Sequence, residues 1–432
     1  MAQVPRYTVN LDEPADTRWA RVIEDYADKV VVVNDFIEET IKSGDSFMVK
    51  LGASVVETVM SFANQTKFVF YHDELKAIAS GTKMPLGRVV MMQLVYEASA
   101  LCTSIAVPAH VAQTTNPEGG VASSVSGEGT MAHIRTMDWE MEFLRSLTIE
   151  VEFIKDGNPL HTITTWAGYV GVLTGLAHRP ALVDNFSISV NFRSKGSGSL
   201  WTNIKQAITR GWPIGFLVRE TLEKASSYDQ AVQWLRNSEL IAPCYFTVAS
   251  ARPYTGCLIT RDRTCDEHFA SIIPPGQEPP TITTKSTKAQ SKSKTGGGKT
   301  KGNGENEEEV MVAPEPVPFV VQTNIDHWSD CADEDIMDSI ERRSRTQTTL
   351  LEQYSSRGSE GASATESPAE MDQEFLWKLL SRRPVCNGIT IYGTLMYPST
   401  GRLETRTPLP RTGFAVAAVK NNNSSSAKAE RE

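Results

Sequence analysis

Cysteine is scarce in these 432 residues: Cys102, Cys244, Cys257, Cys265, Cys331 and Cys386, with none in the first 101. No CxxC occurs, and the seven histidines form no HxH or HxxxH pair, so the usual zinc frameworks are not expected and no metal or cofactor is called for. Runs of eighteen or more apolar residues are missing too, which speaks against a transmembrane helix. There is no basic excess: 43 Lys and Arg against 52 Asp and Glu give a net charge of −9, and nucleic acid is not an expected partner. The opening, Met1 to Asp12, has no apolar core of the secretory-signal kind. Either a leader is missing from this sequence or the protein is not secreted.

What is present is enough apolar content, 40%, to bury a large core. The first hundred residues read as helical. Apolar residues recur at helical spacing over Trp19–Ile41 and Met48–Phe62, and a helix from Val89 to about Ala100 follows Met84-Pro85-Leu86-Gly87. After Cys102 the texture turns to strands. Leu147–Phe153 alternates, Asp156-Gly157-Asn158 makes a turn, and His161–Trp166 returns as the second arm of a hairpin. Phe186–Phe192, Cys244–Ala249 and Ile389–Leu395 read as further strands, with amphipathic helices at Ile214–Leu222, Tyr228–Leu235 and Phe375–Leu380. The expected class is α+β, a four-layer αββα sandwich.

Three stretches lack core-forming residues. Segment 274–316 is rich in Pro, Thr, Ser, Lys and Gly, its lysines preceding a run of glutamates. It cannot offset its ordering entropy and is expected to be a disordered insertion. A low-complexity loop over 354–373 and a tail over 421–432 read the same way. The lysines of 285–301 favour a solvated loop over a contact with anionic lipid.

Four side chains carry the candidate chemistry. A lone cysteine between Leu101 and Thr103 is most often a small buried hydrophobe. As the first residue of a new chain, however, Cys102 would own both a thiol and an α-amine of matched strength. Arg135 and Asp138 stand three apart, either a surface ion pair or a charge system beside the thiol. Asn324 supplies a carboxamide of the kind that stabilises an oxyanion.

Tyr96–Ile105 around Cys102, His133–Trp139 around Arg135 and Asp138, and Gln322–Trp328 around Asn324 together resemble the acid ceramidase and N-acylethanolamine acid amidase family. These are N-terminal-nucleophile (Ntn) hydrolases. Pro5–Asp12 and Trp166–Gly175 resemble the family as well. The resemblance covers 5–105, 130–265 and 318–398.

It implies an αββα fold and self-cleavage at Leu101–Cys102. A helical segment 1–101 (the alpha subunit) and an amidase domain 102–420 (the beta subunit) would result. With no cysteine in 1–101, that heterodimer coheres by packing alone. The substrate would be a fatty-acyl amide, ceramide or N-acylethanolamine, and the compartment lysosomal or otherwise acidic.

By the same resemblance Asp138 holds the Cys102 α-amine, and Arg135 compensates that carboxylate and favours the thiolate. Asn324 donates to the oxyanion, with Asn191 as a weaker second donor. Arg342 is the late arginine of the site, a role open to Arg343. Trp166, Gly168 and Tyr169 line the acyl site. Two departures stand out: 32 residues separate Cys102 from Arg135 where the family has a short hairpin, and Phe192 occupies a position often acidic. Rival readings are a bile-salt or penicillin-type amidase and a catalytically inactive lipid-binding member of the same fold.

Because the insertion carries no core residues, deleting Thr281–Glu309 is expected to leave soluble yield and activity nearly unchanged. Loss of soluble protein on expression of the deletion variant would show that the segment is structural.

Overall fold

The computed structural model describes residues 1–43, 70–94, 101–109, 130–179, 184–193, 211–274, 318–328, 334–358 and 371–409, with the backbone alone in 37–43, 334–337 and 356–358. Met48–Phe62, the insertion 274–316 beyond residue 274, most of the loop 354–373 and the tail 421–432 lie outside the described residues.

Alternation along the strands sets the layers. In β5 (Thr148–Lys155), Ile149, Val151 and Phe153 join the main apolar cluster. Glu150, on the other face, accepts a hydrogen bond from the Thr405 backbone N–H at 2.6 Å. That period of two separates an apolar face from a polar one. The sheet holding β5 has eight strands in the order β11-β10-β9-β8-β7-β6-β5-β2. Its members are β2 (Arg6–Asn10), β6 (Asn158–Trp166), β7 (Thr174–Ala177), β8 (Phe186–Phe192), β9 (Cys244–Ser250), β10 (Gly256–Arg261) and β11 (Asp266–Ser271). All neighbours are antiparallel except β2 on β5. The Asp156-Gly157 turn between β5 and β6 has positive φ at both residues, the backbone a tight hairpin needs.

The second sheet has six strands, β1-β14-β13-β4-β3-β12, built from β1 (Ala2–Gln3), β3 (Leu101–Ala109), β4 (Thr130–Asp138), β12 (Val320–Gln322), β13 (Thr390–Tyr397) and β14 (Arg402–Thr407). Helices cover the outer faces. α1 (Ala20–Ser43), α2 (His72–Thr82), α3 (Leu86–Leu94), α4 (Ile214–Lys224) and α5 (Tyr228–Asn237) bury apolar residues against the eight-stranded sheet. α6 (Glu334–Gly358) and α7 (Gln373–Ser381) place Leu350, Leu376, Leu379 and Leu380 against Ile105, Val107, Ile134 and Leu395. The αββα expectation holds. One correction concerns the loop expected over 354–373: α6 continues to Gly358, and its Leu350 and Tyr354 pack on the six-stranded sheet.

The two sheets meet through polar side chains. Thr164 on β6 contacts Thr394 at 3.0 Å and Thr405 at 2.7 Å, and Ser104 on β3 donates to Asn191 on β8 at 2.6 Å. The first 101 residues are stitched into this core at several points. β1 and β2 each supply an edge strand, one per sheet. Glu74 of α2 takes a bidentate ion pair from Arg219 of α4 at 2.7 and 2.8 Å, and Trp19 Nε1 donates to it at 2.7 Å. Among the described residues no disulfide is formed.

Glu150 generates a pH prediction. Burial pushes its pKa up to about 7, with the Thr405 N–H and Arg6 pulling the other way. The unfolded value is about 4.3, so the folded state favours the protonated carboxyl. Its contribution to stability is therefore lost as pH rises through about 7. Glu150→Gln keeps an oxygen for Thr405 and removes the titration. The melting temperature of the variant relative to the native chain is expected to rise between pH 6 and pH 8. A difference independent of pH would rule out the buried-carboxyl explanation.

Candidate active site

Cys102 and Arg135 reach the same place because of strand parity. β3 and β4 pair residue for residue, Cys102 opposite Met137 and Ser104 opposite Arg135. The 110–129 stretch, which carries most of the extra length between Cys102 and Arg135, leaves this register intact. Even-numbered residues of β3 and odd-numbered residues of β4 point into the layer between the sheets, where Ser104 and His133 meet residues of β8. Cys102 and Arg135 therefore share a face, and both are fully buried. Arg135 Nη2 lies 3.0 Å from Cys102 Sγ, close enough to stabilise negative charge on sulfur. Its Nη1 donates to Thr174 Oγ1 at 2.6 Å and to the Leu173 carbonyl, which anchors the end of the glycine-rich 166–175 segment. Neither residue belongs to a surface ion pair.

Asp138 lies on the opposite face of β4, because three residues is an odd spacing on a strand. The expectation that Arg135 compensates this carboxylate is corrected: Arg342 of α6 does so chiefly, at 2.8 Å. Thr390 Oγ1 donates to the other carboxylate oxygen at 2.6 Å. Burial pulls the Asp138 pKa up to about 6, against the opposing pull of Arg342 and the Thr390 hydroxyl. Arg343 turns instead to the Ile325 carbonyl at 3.4 Å, so the choice between the two arginines falls to Arg342. The resemblance had put Arg342 first, though the helix that aims it was not foreseen.

Asn324 also lies differently from expectation. In the continuous chain its Oδ1 accepts from the Cys102 backbone N–H at 2.6 Å, and its Nδ2 donates to the Phe192 carbonyl at 2.8 Å. The Cys102 nitrogen is thus held by Asn324, where Asp138 was expected. Asp138 faces Leu101 across the ladder. Asn191 sends its amide to the Gln322 and Thr323 carbonyls at 2.9 and 3.1 Å, so it braces the turn before Asn324 and does not point to an oxyanion in this arrangement. Arg193, just past the end of β8, grips Asp326 with two hydrogen bonds at 2.7 and 2.8 Å. The 322–326 turn is clamped twice by one strand edge.

Trp166 and Tyr169 line an apolar cavity of about 40 Å³ together with Val33, Phe36, Met92, Trp139 and Leu144, whereas Gly168, expected beside them, is not among its lining residues. It is too small for a long acyl chain without side-chain movement. Gln93 of α3 holds the 168–170 backbone next to it, donating to the Gly168 carbonyl at 3.0 Å and accepting from Val170 N–H at 2.9 Å. Gly168 itself has φ +90° with Val30 close behind it, so a side chain there meets both backbone strain and contact. Gln93 and Thr390 escaped sequence reasoning, and no local signal marks either. Among the described residues no cluster of three metal-ligating side chains occurs.

Comparison with known proteins bears on this geometry. A family model described as the beta subunit of N-acylethanolamine-hydrolyzing acid amidase matches residues 2–57. The N-acylethanolamine-hydrolyzing acid amidase of Mus musculus is 29% identical over 404 residues, 91% of this chain and 85% of that protein. The acid ceramidase of Balaenoptera acutorostrata scammoni is 28% identical over 269 residues, 60% of this chain. The chain is similar to acid ceramidases and N-acylethanolamine-hydrolyzing acid amidases over these spans. The stretch shared with the Balaenoptera ceramidase spans 64% of that protein's length, just under two thirds. A solved Caenorhabditis elegans N-acylethanolamine-hydrolyzing acid amidase ortholog is 24% identical, covering 72% of this chain and all of that one, with a TM-score of 0.46.

The Asp138–Arg342 pair gives a direct test. Both side chains are fully buried, and removing one partner of such a pair costs about 3–5 kcal/mol because a buried charge is left uncompensated. Arg342→Met is expected to lower stability by about that much at pH 7.5, and by clearly less at pH 5, where Asp138 takes up a proton. Urea unfolding at the two pH values measures this. An equal loss at both would mean the carboxylate is not the group left exposed to the penalty.

Proposed function

We propose that this chain is a self-processing cysteine amidase that hydrolyses fatty-acyl amides. The observation that carries the reading is the Cys102 constellation: a buried thiol 3.0 Å from Arg135 Nη2, whose own backbone nitrogen is bonded to Asn324 at 2.6 Å. A structural cysteine has no use for a guanidinium on its sulfur and a carboxamide on its nitrogen. An N-terminal nucleophile uses both, since sulfur and nitrogen of the same residue act together.

In the first reaction Cys102 Sγ attacks the Leu101 carbonyl carbon. The Leu101–Cys102 C–N bond breaks, a thioester forms, and the nitrogen leaves as the α-amine. Water then cleaves the thioester, giving the Leu101 carboxylate and a free thiol. Arg135 stabilises sulfur as its proton departs. Asn324 Oδ1 retains a donor throughout, because the amide N–H it binds becomes an amine N–H. Asp138, with a pKa near 6 and opposite Leu101 in the ladder, exchanges a proton in mild acid and is the group we assign to protonating the leaving nitrogen.

In the second reaction the α-amine takes the thiol proton as sulfur attacks the substrate amide. It returns that proton to the departing amine, and water releases the fatty acid. The apolar wall of Trp139, Trp166 and Tyr169 suits an acyl chain, each buried methylene contributing about 0.8 kcal/mol. The relatives include acid ceramidases and N-acylethanolamine-hydrolyzing acid amidases, so ceramide and N-acylethanolamines are the substrates to test first. The two pieces remain associated without a disulfide, through the β1 and β2 edges and the Glu74–Arg219 pair.

Incubated in mild acid, the purified chain is expected to yield fragments of 101 and about 331 residues (432 less 101), the larger starting at Cys102, while Cys102→Ala stays whole. N-terminal sequencing reads the cut. Cleavage persisting in the alanine variant points to an outside protease. A chain that never cleaves and turns over no fatty-acyl amide is an inactive lipid binder.

A further inference from the structure

Behind the site runs a line of buried polar side chains that the chemistry above does not use: His133, Ser187, Ser189, Ser104 and Asn191, all fully buried between the two sheets. His133 Nδ1 lies 2.8 Å from Ser187 Oγ and its Nε2 lies 2.7 Å from Ser189 Oγ. Ser189 Oγ is 2.8 Å from Ser104 Oγ, which is 2.6 Å from Asn191 Oδ1. The far end is fixed by chemistry. The Asn191 amide nitrogen contacts two backbone carbonyls, those of Gln322 and Thr323, and carbonyls only accept.

The direction of every proton then follows. Asn191 Oδ1 must accept, so the Ser104 hydroxyl donates to it. Ser104 has one proton and has used it, so the bond from Ser189 is donated by Ser189. Ser189 is then an acceptor toward the imidazole, and His133 Nε2 carries the hydrogen. In a neutral ring Nδ1 is left as acceptor for Ser187. Burial and the Arg135 charge keep His133 neutral, pushing its pKa down to about 3. From His133 Nε2 to Asn191 each bond has one possible donor, while Ser187 has a second acceptor in the Ala249 carbonyl at 3.5 Å; the orientation imposed on Asn191 is the one that fastens the Gln322-Thr323 backbone immediately before Asn324.

We propose that His133, Ser189, Ser104 and Asn191 form a one-directional hydrogen-bond chain that positions Asn324 against the Cys102 nitrogen, Ser104 and Asn191 being positioning residues for the amidase reaction. The chain touches neither thiol nor substrate. It acts only through the 322–324 turn, and its role in the reaction rests on the self-cleaving amidase reading.

Two measurements test it separately. Histidine ring ¹⁵N spectra of the labelled full-length protein, with His133 assigned by its loss in His133→Gln, are expected to show a neutral Nε2–H tautomer at pH 7. A neutral Nδ1–H tautomer, with no hydrogen on Nε2, overturns the chain whatever the protein's activity. The second measurement is a double-mutant cycle on the self-cleavage rate. Ser104→Ala is expected to slow cleavage about tenfold, the scale of one net hydrogen bond, yet to change the rate less than about twofold in an Asn324→Ala background. Equal slowing in both backgrounds means Ser104 acts elsewhere and overturns the proposal. If Ser104→Ala does not fold, Asn191→Asp serves, since it keeps the Ser104 bond and removes the two amide donors. A native chain with the expected tautomer and no cleavage refutes the amidase reading and leaves the hydrogen-bond chain standing as a brace of the 322–324 turn.

Discussion

Strand parity is the constraint on which the rest of this molecule depends. β3 and β4 lie side by side in register, and each has two faces with opposite tasks. Ile105, Val107, Ala132 and Ile134 face α6 and α7. Cys102, Ser104, His133 and Arg135 face the other sheet. A slip of one residue in either strand would send Arg135 into an apolar layer and an isoleucine into the polar one. The same register that builds the core therefore places the guanidinium on the thiol, and the site needs no separate device to assemble it. Asp138, of the other parity, is left to be neutralised from the helical layer, which is why a residue as distant in sequence as Arg342 joins the site.

A cut between Leu101 and Cys102 would divide a single folded unit, and the structure shows what resists its separation. β2 runs parallel to β5 over five residue pairs, and β1 extends the other sheet. Glu74 on the N-terminal side is bound by Arg219 on the other, both almost fully buried. Arg219 holds the Glu74 carboxyl below its usual range despite burial, and its guanidinium also lies 3.9 Å from the centre of the Tyr71 ring. A buried pair adds little net stability over an apolar contact, but pulling it apart exposes two unmatched charges to each other's vacated site. Cohesion of the pieces is thus a matter of geometry more than of area. Gln93 carries the linkage to the cavity, because the N-terminal side supplies the amide that shapes Gly168–Val170.

Of the helices and strands named from periodicity, those within the described residues are present where it put them, while Met48–Phe62 and the end of the helix from Val89 lie outside them. α1 and β5 start within a residue of their expected onset, and α4, α5 and α7 likewise follow their apolar spacing. Such elements bury one face, and one buried face writes a period into the chain. The strands β2, β11 and β14 left no such mark, being short or half exposed. α6 was missed because its polar residues, Arg342 among them, are the ones that face the site. Cys102, Arg135, Asp138, Asn324 and Arg342 were named through resemblance; the fold brings Arg135 and Asn324 to Cys102 and pairs Asp138 with Arg342 on the other face of β4. Their partnerships were not legible, since which carboxylate meets which arginine depends on the parity of a spacing and on a helix from another part of the chain. Thr390 and Gln93 are ordinary residues whose importance exists only in three dimensions.

Protons act on this fold in two opposing directions, and the balance bears on any acidic habitat. Asp138 and Glu150 are held above their usual range by burial, to about 6 and about 7, so folding takes up protons there and is favoured as pH falls toward 5. The histidines do the reverse. Burial pushes His133 to about 3 and His327 to about 4, and holds His161, His178 and His268 below their ordinary value. An unfolded histidine gains its proton near 6.5, so each of these five works against the fold once pH drops below that point. As pH falls below about 6.5 the two effects oppose each other, the two carboxyls favouring the fold and the five histidines working against it. His161 sharpens the point, as both ring nitrogens lack a hydrogen-bond partner among the described residues and its ring stacks on Phe153 at 4.4 Å, with Arg219 among the charges that oppose its protonation. In mild acid the proton that bears on the proposed chemistry is the one Asp138 takes up at the site, its pKa lying near 6.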